Sequence, residues 1–287
     1  GCRSSAASDV YTRQVLDSTI LAYRLAEDRR VRLPVMVNLD GFYLSFTREP
    51  IEVPEARDVD TFLPRFEARD IAFRASMPES QAVAVLGGGP YSYFRYESHL
   101  AALNGLEIYE EAGAEFGRRF GRPYSALACH RVEDARVVFV MIGSFATKAH
   151  AAVDALRAAG EAVGLVRLRL LRPFPAEPLR KALAGKTGVA VIDQNLSLGF
   201  GGVLKGELAA ALYGLADAPV IAGFVGGLGG RDIAPEEFFE IARATRLAAE
   251  QGASPPTRLL YTADELRELR KLQTLARAER NDLGEMR

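Results

Sequence analysis

Short apolar segments alternate with amphipathic segments of helical length through the second half of this chain. The apolar segments are rich in β-branched residues and end at turns, and they cover residues 136–142, 162–170, 188–192 and 219–224. The segments between them repeat apolar residues every three or four positions, and they cover residues 147–159, 177–184, 204–213 and 235–250. Strands that alternate with single helices form a mostly parallel sheet with helices on both faces. The pattern therefore predicts an α/β fold, with a doubly wound parallel sheet over residues 134–250.

A second, incomplete α/β unit is predicted ahead of this sheet. Residues 12–30 have the apolar spacing of an amphipathic helix, and residues 31–39 form an apolar run that is typical of a buried strand. The run ends at Asp40-Gly41-Phe42, which is a turn sequence. Nothing upstream supplies the other half of this unit, and the first residue is not methionine. We therefore expect a fragment or a processed product, whose fold begins in the middle of a unit.

The periodic signal is weak between the two units. Six prolines interrupt residues 47–130, and Gly87-Gly88-Gly89 leads to Pro90 in an irregular turn rather than a helix. One helix is expected, over residues 101–120. The expected organisation is a partial unit, a connector with one helix, the sheet domain, and a linker with a C-terminal helix, at residues 1–60, 61–133, 134–250 and 251–287.

The C-terminal tail carries a charged helix with one apolar edge. Thr262 and Glu265 have the spacing of a capping box, which indicates that a helix begins there. The apolar edge consists of leucines, namely Leu266, Leu269, Leu272 and Leu275. This edge packs either on its own domain or on a partner subunit, and the sequence leaves both interpretations open.

Charge and cysteine content exclude several classes of function. Lys and Arg total 36 against 37 Asp and Glu, a formal charge of -1, which provides no field to hold nucleic acid or an anionic membrane. The 2 cysteines, Cys2 and Cys129, can form neither an iron–sulfur cluster nor a four-ligand zinc site by themselves. The chain has no apolar stretch of about 18 residues and no secretory signal at its start. We expect a cytoplasmic protein whose electrons, if any, are carried by another chain.

Candidate binding residues are those that follow the predicted strands, because parallel sheets bind ligands beyond their carboxyl ends. They lie in Asp40-Gly41-Phe42, Gly143-Ser144, Arg172-Pro173, Asp193-Gln194-Asn195 and the loop at residues 226–232. Asp40 is either a charged ligand or an ordinary turn residue. Arg231 and Asp232 are expected to form a local ion pair at a helix start.

Two common kinds of site are disfavoured by spacing. The glycine loops lack the third small residue of a dinucleotide fingerprint, since Leu204 and Asp232 occupy the positions that need it. The histidines His99, His130 and His150 lie far apart in sequence without acidic companions at ligand spacing. We therefore predict neither a nicotinamide or flavin site nor a metal site.

A series of short motifs runs in order through residues 13–245. They are Leu33-Pro34-Val35-Met36-Val37-Asn38-Leu39-Asp40-Gly41-Phe42, Glu49-Pro50-Ile51-Glu52-Val53-Pro54, Phe120-Gly121-Arg122-Pro123-Tyr124, Glu133-Asp134-Ala135, Gly143-Ser144, Arg172-Pro173-Phe174-Pro175 and Gly227-Leu228-Gly229-Gly230-Arg231-Asp232. Together they resemble the α subunit of pyruvate (2-oxoacid):ferredoxin or flavodoxin oxidoreductases. The resemblance implies part of a pyrimidine-binding domain followed by a domain like the C-terminal domain of transketolase.

The resemblance also implies an activity and a set of partners. It implies a subunit of a thiamine-diphosphate-dependent oxidoreductase that converts a 2-oxoacid, with pyruvate favoured, to acyl-CoA and CO₂ while reducing ferredoxin. Thiamine diphosphate and Mg²⁺ would bind at the level of the complex, iron–sulfur clusters would lie on other subunits, and this chain alone would bind none of them. The implied partners are a β subunit with the pyrophosphate domain, γ and ferredoxin-like subunits, ferredoxin and CoA.

No catalytic residue is carried over by the resemblance, because the half of the pyrimidine-binding domain with the activating glutamate lies upstream of residue 1. Cofactor-binding residues stay unassigned, and the upstream half is either a separate chain or was lost by truncation. Candidates for substrate or interface contact are Asp40, Gly41, Phe42, Arg172, Asn195, Gly229, Arg231 and Asp232. The alternative function is a non-catalytic assembly or regulatory module derived from the same subunit, and we expect the isolated chain to be inactive in either case.

Overall fold

The computed structural model describes residues 5–41, 44–46, 48, 50–67, 74–78 and 89–285, and its central element is a six-stranded sheet. The strands are β1 (Leu127–His130), β2 (Val137–Ile142), β3 (Val163–Leu168), β4 (Gly188–Asp193), β5 (Val220–Val225) and β6 (Arg258–Leu259). Their order across the sheet is β1-β3-β2-β4-β5-β6. All neighbours are parallel except β1, which runs antiparallel to β3 at one edge. The prediction of a mostly parallel α/β sheet is confirmed.

Helices cover both faces of this sheet. Those of the described residues are α1 (Ser5–Ala26), α2 (Ala56–Phe62), α3 (Gly89–Phe120), α4 (Ala146–Ala158), α5 (Ala176–Leu183), α6 (Val203–Leu212), α7 (Pro235–Gln251) and α8 (Ala263–Glu285). α4 and α7 pack on one face, and α5 and α6 pack on the other. Among the described residues, no helix combines the length and the apolar character that crossing a membrane requires.

The middle strand β2 explains why its sequence is apolar throughout rather than alternating. Phe139 and Met141 point into the core under α4 and α7, whereas Val138 and Val140 point into the core under α5 and α6. All four side chains are fully buried. A strand whose two faces are both covered by helices needs apolar residues at every position.

A separate apolar core joins α1, α2 and α3. Leu21 of α1 and Phe62 of α2 are each 1% exposed, and Phe116 of α3 is fully buried. The rings of Phe62 and Phe116 meet edge to face, with their centroids 5.3 Å apart. Arg167 of β3 donates to the side-chain oxygen of Gln14 at 2.9 Å, so this helical layer also contacts the sheet.

Residues 31–39 depart from the predicted fold. They are assigned no strand, and Met36 within them is 86% exposed. A strand is stable only when a neighbour takes up its backbone N–H and C=O groups. Within the described residues no strand pairs with this segment. The prediction of a buried strand here is therefore wrong.

The helix of the connector is longer than predicted. α3 begins at Gly89, so the expectation that Gly89-Pro90 leads away from a helix is wrong, while Gly87 and Gly88 lie outside the described residues. Proline is compatible with the first helical turn because its missing N–H has no partner there in any case. α2 is a further helix that the weak periodicity did not indicate.

The sheet extends beyond both ends of the predicted unit at residues 134–250. β1 precedes it and β6 follows it, and the backbone N–H of Leu260 donates to the carbonyl of Val225 at 2.8 Å. The tail is thus joined to the sheet before α8 begins. The predicted capping box is present, since the Thr262 N–H donates to Glu265 at 2.6 Å and the Glu265 N–H donates to Thr262 Oγ1 at 3.2 Å.

The leucine edge of α8 is largely exposed. The exposed fractions are 40% for Leu266, 41% for Leu269, 61% for Leu272 and 60% for Leu275. A cavity of about 390 Å³ separates the first turns of α8 from the end of β5. The leucine edge is therefore not buried against the rest of the described chain.

Candidate functional site

The carboxyl ends of β2 and β4 form the crevice in which an open α/β sheet normally binds ligands. The chain runs from β2 to β3 on one side and then crosses back over β2 to β4 on the other, so the direction of the connections reverses between β2 and β4. Directly after β2, the backbone N–H of Ser144 donates to Asp40 Oδ2 at 2.6 Å. Directly after β4, the side chain of Gln194 approaches the same point. Three of the predicted segments therefore meet at this crevice.

Two glycines allow these side chains to approach. Gly143 has a φ of +84°, and a Cβ there would lie 2.9 Å from Gln194 Oε1 and 3.2 Å from each carboxylate oxygen of Asp40. Gly227 has a φ of +76°, and a Cβ there would lie 3.2 Å from Gln194 Nε2. Both positions require glycine for their backbone conformation as well as for space. The amide of Gln194 is thus held between two glycine turns.

Asp40 combines the two roles that the sequence left open. Its backbone carbonyl accepts the N–H of Leu44 at 3.3 Å, as in a turn, while its carboxylate binds Ser144. Ser144 lies two residues before α4, near the positive end of the helix dipole, which favours a carboxylate at this place. Asp40 therefore connects the 31–46 region to the edge of the sheet. Phe42 lies outside the described residues.

Asp193 and Asn195, at the end of β4, cap the start of α6. Asp193 is 2% exposed and accepts the backbone N–H groups of Leu204 at 2.9 Å and Lys205 at 3.2 Å. Asn195 Oδ1 accepts the N–H of Val203 at 3.1 Å, and its amide donates to Asp193 at 3.2 Å. Burial raises the pKa of Asp193, against the lowering effect of these hydrogen bonds. Asn195, which was predicted to contact substrate or another subunit, thus has a structural role in the cap of α6.

Three other candidates take no part in the described contacts between Asp40, Ser144 and Gln194. Arg172 is exposed and forms a two-pronged ion pair with Glu207 of α6, in which one N–O distance is 2.7 Å. Gly41 and Gly229 are exposed, and a Cβ at either would contact nothing within 4 Å. Gly229 lies in a single 3-10 turn, Leu228–Gly230, after β5. That these residues contact a ligand or another subunit stays a prediction.

Arg231 and Asp232 do not pair with each other, so that prediction is wrong. Arg231 donates to both oxygens of Glu265 at 2.6 Å and to Glu237 at 3.0 Å. Asp232 instead forms an ion pair with Lys148 of α4. The side chains of adjacent residues after a strand point in different directions, so each of the two pairs with a charged group on a different helix. Arg231 thereby ties α8 to α7.

Protonating Glu265 is expected to release the start of α8 from the domain. The Arg231 guanidinium, followed by the N–H of Thr262, lowers the pKa of Glu265 to about 2. A carboxylate whose pKa is lowered on docking stabilises the docked form above its free pKa of about 4.3 and loses this effect as the pH falls toward 2. Hydrogen exchange of α8, corrected for intrinsic rates, should therefore accelerate over this range.

Glu265→Gln should cause the same acceleration at neutral pH, because it removes this charge without protonating other carboxylates. Glu279→Gln changes an exposed carboxylate on the same helix and is the matched control. Equal protection of α8 in both variants would contradict the anchoring role of Arg231 and Glu265.

The sequence suggested that the histidines are isolated from acidic residues, but two of them lie beside the same carboxylate. His130 Nε2 lies 2.8 Å from Asp154 Oδ1, and His150 Nδ1 lies 3.5 Å from Asp154 Oδ2. The signal that could have revealed half of this cluster is the spacing of His150 and Asp154, which are four residues apart on one helix. His130 comes from β1, a strand that sequence reasoning missed. His99 is exposed on α3.

The fold defines the class of this protein: an open, doubly wound α/β domain that carries a helical layer. Residues 135–238 match pyruvate:ferredoxin oxidoreductase core domain II. Residues 5–107 match the thiamine diphosphate-binding domain of pyruvate flavodoxin/ferredoxin oxidoreductase. The chain belongs to the α-subunit family of pyruvate:ferredoxin oxidoreductases, as the motifs predicted.

Individual relatives agree with this family. The pyruvate synthase subunit PorA of Methanothermobacter thermautotrophicus is 41% identical over 81% of this chain and 59% of its own length. The ketoisovalerate oxidoreductase subunit VorA of Pyrococcus horikoshii is 34% identical over 84% of this chain and 60% of its own length. A solved 2-oxoglutarate:ferredoxin oxidoreductase from Magnetococcus marinus has a TM-score of 0.35 at 18% identity, over 59% of this chain and 24% of that one. The likeness to that structure is too slight to add to the assignment.

Proposed function

We propose that this chain is a component of a thiamine-diphosphate-dependent 2-oxoacid:ferredoxin oxidoreductase. The observation that carries the proposal is the 41% identity to a pyruvate synthase α subunit over 81% of this chain. The chain covers 59% of that relative, which is itself named as one subunit of pyruvate synthase, and we propose the reaction for the assembly rather than for this chain alone. In it, one 2-oxoacid, one CoA and two oxidised ferredoxins become one acyl-CoA, one CO₂, two reduced ferredoxins and one proton.

Pyruvate is the favoured 2-oxoacid. The relatives named as pyruvate synthase subunits are between 32% and 41% identical, and the relative named for ketoisovalerate is 34% identical, so the preference for pyruvate rests on the motifs and on the 41% relative. An NADH-dependent phenylglyoxylate dehydrogenase subunit from Aromatoleum evansii is 32% identical over 85% of this chain. These proteins handle 2-oxoacids with different side chains, so a branched or aryl substrate is the next choice.

The described residues at the crevice do not by themselves fit thiamine diphosphate and Mg²⁺. The two cations at this edge, Lys148 and Arg231, are each paired with carboxylates, and a diphosphate needs available positive charge or a metal. Asp40 and Asp193 are occupied by backbone N–H groups. Thiamine diphosphate, when bound in the complex, supplies the carbanion chemistry. We assign its binding to the assembled complex and assign no chemical step to residues of this chain.

Exposed apolar side chains support the presence of partner subunits. Met36 is 86% exposed, and Tyr91, Tyr93, Phe94 and Tyr96 at the start of α3 are between 47% and 59% exposed. Large apolar side chains grouped at the surface are typical of protein interfaces. The proposed partners are a β subunit with the pyrophosphate domain, a γ subunit, a ferredoxin-like subunit with the iron–sulfur clusters, and the substrates CoA and ferredoxin.

The proposed division of labour within the chain follows the expected boundaries. Residues 1–60 would complete a pyrimidine-binding domain, residues 61–133 would connect, and residues 134–250 would form the domain like that of transketolase. Residues 251–287 would form a linker and the C-terminal helix α8, which would dock on a partner subunit. Iron–sulfur partners and reduced ferredoxin require a reducing compartment, so we place the complex in the cytoplasm.

Co-purification from the source organism tests the proposal. A tagged copy of the chain should bring down β, γ and ferredoxin-like subunits, and the purified assembly should reduce ferredoxin when given pyruvate and CoA. Addition of thiamine diphosphate and Mg²⁺ to depleted assembly should restore the rate. An assembly without turnover on any 2-oxoacid would instead support the non-catalytic module, and recovery of a lone monomer would contradict both.

Asp40→Ala is expected to reduce pyruvate-dependent turnover of this assembly by roughly 10- to 100-fold. A hydrogen bond from a backbone N–H to a carboxylate contributes about 1.5–3 kcal/mol, and its loss releases the 31–46 region from the crevice. Turnover by the purified assembly measures the effect. Asp60→Ala removes an exposed carboxylate of α2 and is the control. Equal rates for the two variants would argue against a positioning role of Asp40.

A further inference from the structure

We propose that His130, His150 and Asp154 form a binding site for a divalent transition metal, with Zn²⁺ as the preferred ion. The potential ligand atoms of these three residues all lie within 4.8 Å of one another. Among the described residues, they are the one such group of histidine, cysteine and carboxylate ligands. Two imidazoles and a carboxylate are a ligand set that Zn²⁺ uses in proteins, with water at the fourth position.

The spacing of the donor atoms suits a metal of this size. Zn²⁺ bonds of about 2.0–2.1 Å in tetrahedral geometry place donor atoms roughly 3.3–3.4 Å apart. Asp154 Oδ1 lies 2.8 Å from His130 Nε2, and Asp154 Oδ2 lies 3.5 Å from His150 Nδ1. The two imidazole rings stack with centroids 3.5 Å apart, so both present an edge to the same carboxylate. The ring planes are 22° from parallel, so the imidazoles must rotate out of their stack before both nitrogens can point at one ion.

The main chain around His130 is held in place from two sides. Arg131, the next residue, has a φ of +50°, a conformation that is unfavourable for a side chain of this kind. Its carbonyl accepts a hydrogen bond from Arg157 at 2.7 Å and would lie 2.6 Å from a Cβ at position 164, which is glycine. Arg157 also donates to Asp134 at 2.6 Å. A strained residue held by several contacts is typical of a site that needs its geometry.

Arg131 also acts on the proposed ligands directly. Its Nε donates to Asp154 Oδ1 at 2.9 Å and leaves Oδ2 on the side of His150. Hydrogen bonds to the carboxylate ligand orient it, as the outer contacts of metal sites do. The positive charge of Arg131 also weakens the attraction for a cation, so the two effects of this residue on metal affinity oppose each other.

Access and position separate this site from the crevice. The side chains are 24% exposed for His130, 52% for His150 and 43% for Asp154, so that solvent can reach the fourth position of a bound ion. β1 runs antiparallel to β3, and its carboxyl end therefore points to the edge of the sheet opposite the crevice. A metal here would join the edge strand to α4 and would be independent of the proposed reaction.

Titration of the full, untagged and chelator-treated chain with Co²⁺ alone tests the site. We expect one equivalent to bind with visible bands of a four- or five-coordinate ion, and Zn²⁺ to displace it. Support requires a Kd below about 100 μM, and a weaker Kd overturns the proposal in favour of a hydrogen-bonded stack of side chains. Zn²⁺ should also raise the melting temperature of the chain, because a ligand that binds the folded form stabilises it.

Variants separate a built site from adventitious binding. His150→Ala and Asp154→Asn, both on the outer part of α4, should weaken Co²⁺ binding by about 100-fold or more. His99→Ala removes an exposed histidine elsewhere and should leave binding unchanged. An equal loss in His99→Ala, or no loss in the α4 variants, overturns the proposal, and circular dichroism without metal verifies that each variant is folded.

Discussion

Replacing Asp17 by leucine is expected to lower the free energy of unfolding by about 3–5 kcal/mol, because a buried ion pair loses one partner. Asp17 is fully buried in α1 and accepts hydrogen bonds from Arg122 Nε at 2.7 Å and Arg122 Nη2 at 2.8 Å. The Tyr124 hydroxyl donates to the same carboxylate at 2.7 Å. Leucine would leave the Tyr124 hydroxyl without this acceptor and the guanidinium with the Phe120 carbonyl, at 3.3 Å, in place of a carboxylate. Urea unfolding followed by circular dichroism measures the loss.

The size of this effect depends on the unpaired guanidinium rather than on the attraction within the pair. Arg122→Leu in the Asp17→Leu background should therefore recover more than half of the lost stability, since no unpaired charge remains. Asp60→Leu alters an exposed carboxylate of α2 and should change stability by no more than about 0.5 kcal/mol. A loss of stability in Asp17→Leu as small as that of the control would contradict the structural role of the hydrogen bonds from Arg122 and Tyr124 to Asp17.

Gly202→Ala is expected to lower the free energy of unfolding by about 2–4 kcal/mol through the cap of α6. A Cβ at this position would lie 2.0 Å from Asp193 Oδ2 and 2.4 Å from Asp193 Cγ. The carboxylate must then move away from the N–H groups of Leu204 and Lys205 while it remains buried. Its hydrogen bonds to the start of the helix are lost, and the charge is left without compensation.

Gly105→Ala in α3 is the control for this prediction. A Cβ there would contact only Pro173 Cδ, at an ordinary 3.5 Å, and alanine favours a helix interior by about 1 kcal/mol over glycine. Thermal unfolding should therefore show an unchanged or higher melting temperature for Gly105→Ala and a clearly lower one for Gly202→Ala. Similar melting temperatures for the two variants would show that Asp193 has room to move.

The sheet domain could be predicted closely, because its strands are buried on both faces and its helices on one. All four predicted strands and all four predicted helices of residues 136–250 are present, with ends that shift by at most a few positions. The edge strand β1, Leu127–His130, was missed because it is short and its residues do not alternate in the usual way. The strand expected at residues 31–39 is absent because apolar composition predicts burial only when something is available to cover the segment.

The sequence selected segments of the candidate site but not their contacts. The carboxyl-end rule pointed to the segments that contain Asp40, Ser144 and Gln194, although Asp40 follows no strand in the structure, and only the tertiary structure shows that the three approach one another. The rule could not show that Asn195 caps α6 or that Arg231 binds Glu265, which lies 34 residues further along the chain. Partner choice among charged side chains follows from which helices pack together, and local spacing carries no information about that.

By itself the sequence determined the periodicities, and through them the parallel α/β sheet and the order of its elements along the chain, while its ordered motifs separately indicated the family to which the chain belongs. Only the tertiary structure decided which polar groups meet: Asp17 with Arg122, Asp40 with Ser144, and His130 with His150 and Asp154. The physical reason is range. Burial patterns repeat over a few residues along the chain, whereas hydrogen bonds and ion pairs act over about 3 Å between segments that folding alone brings together.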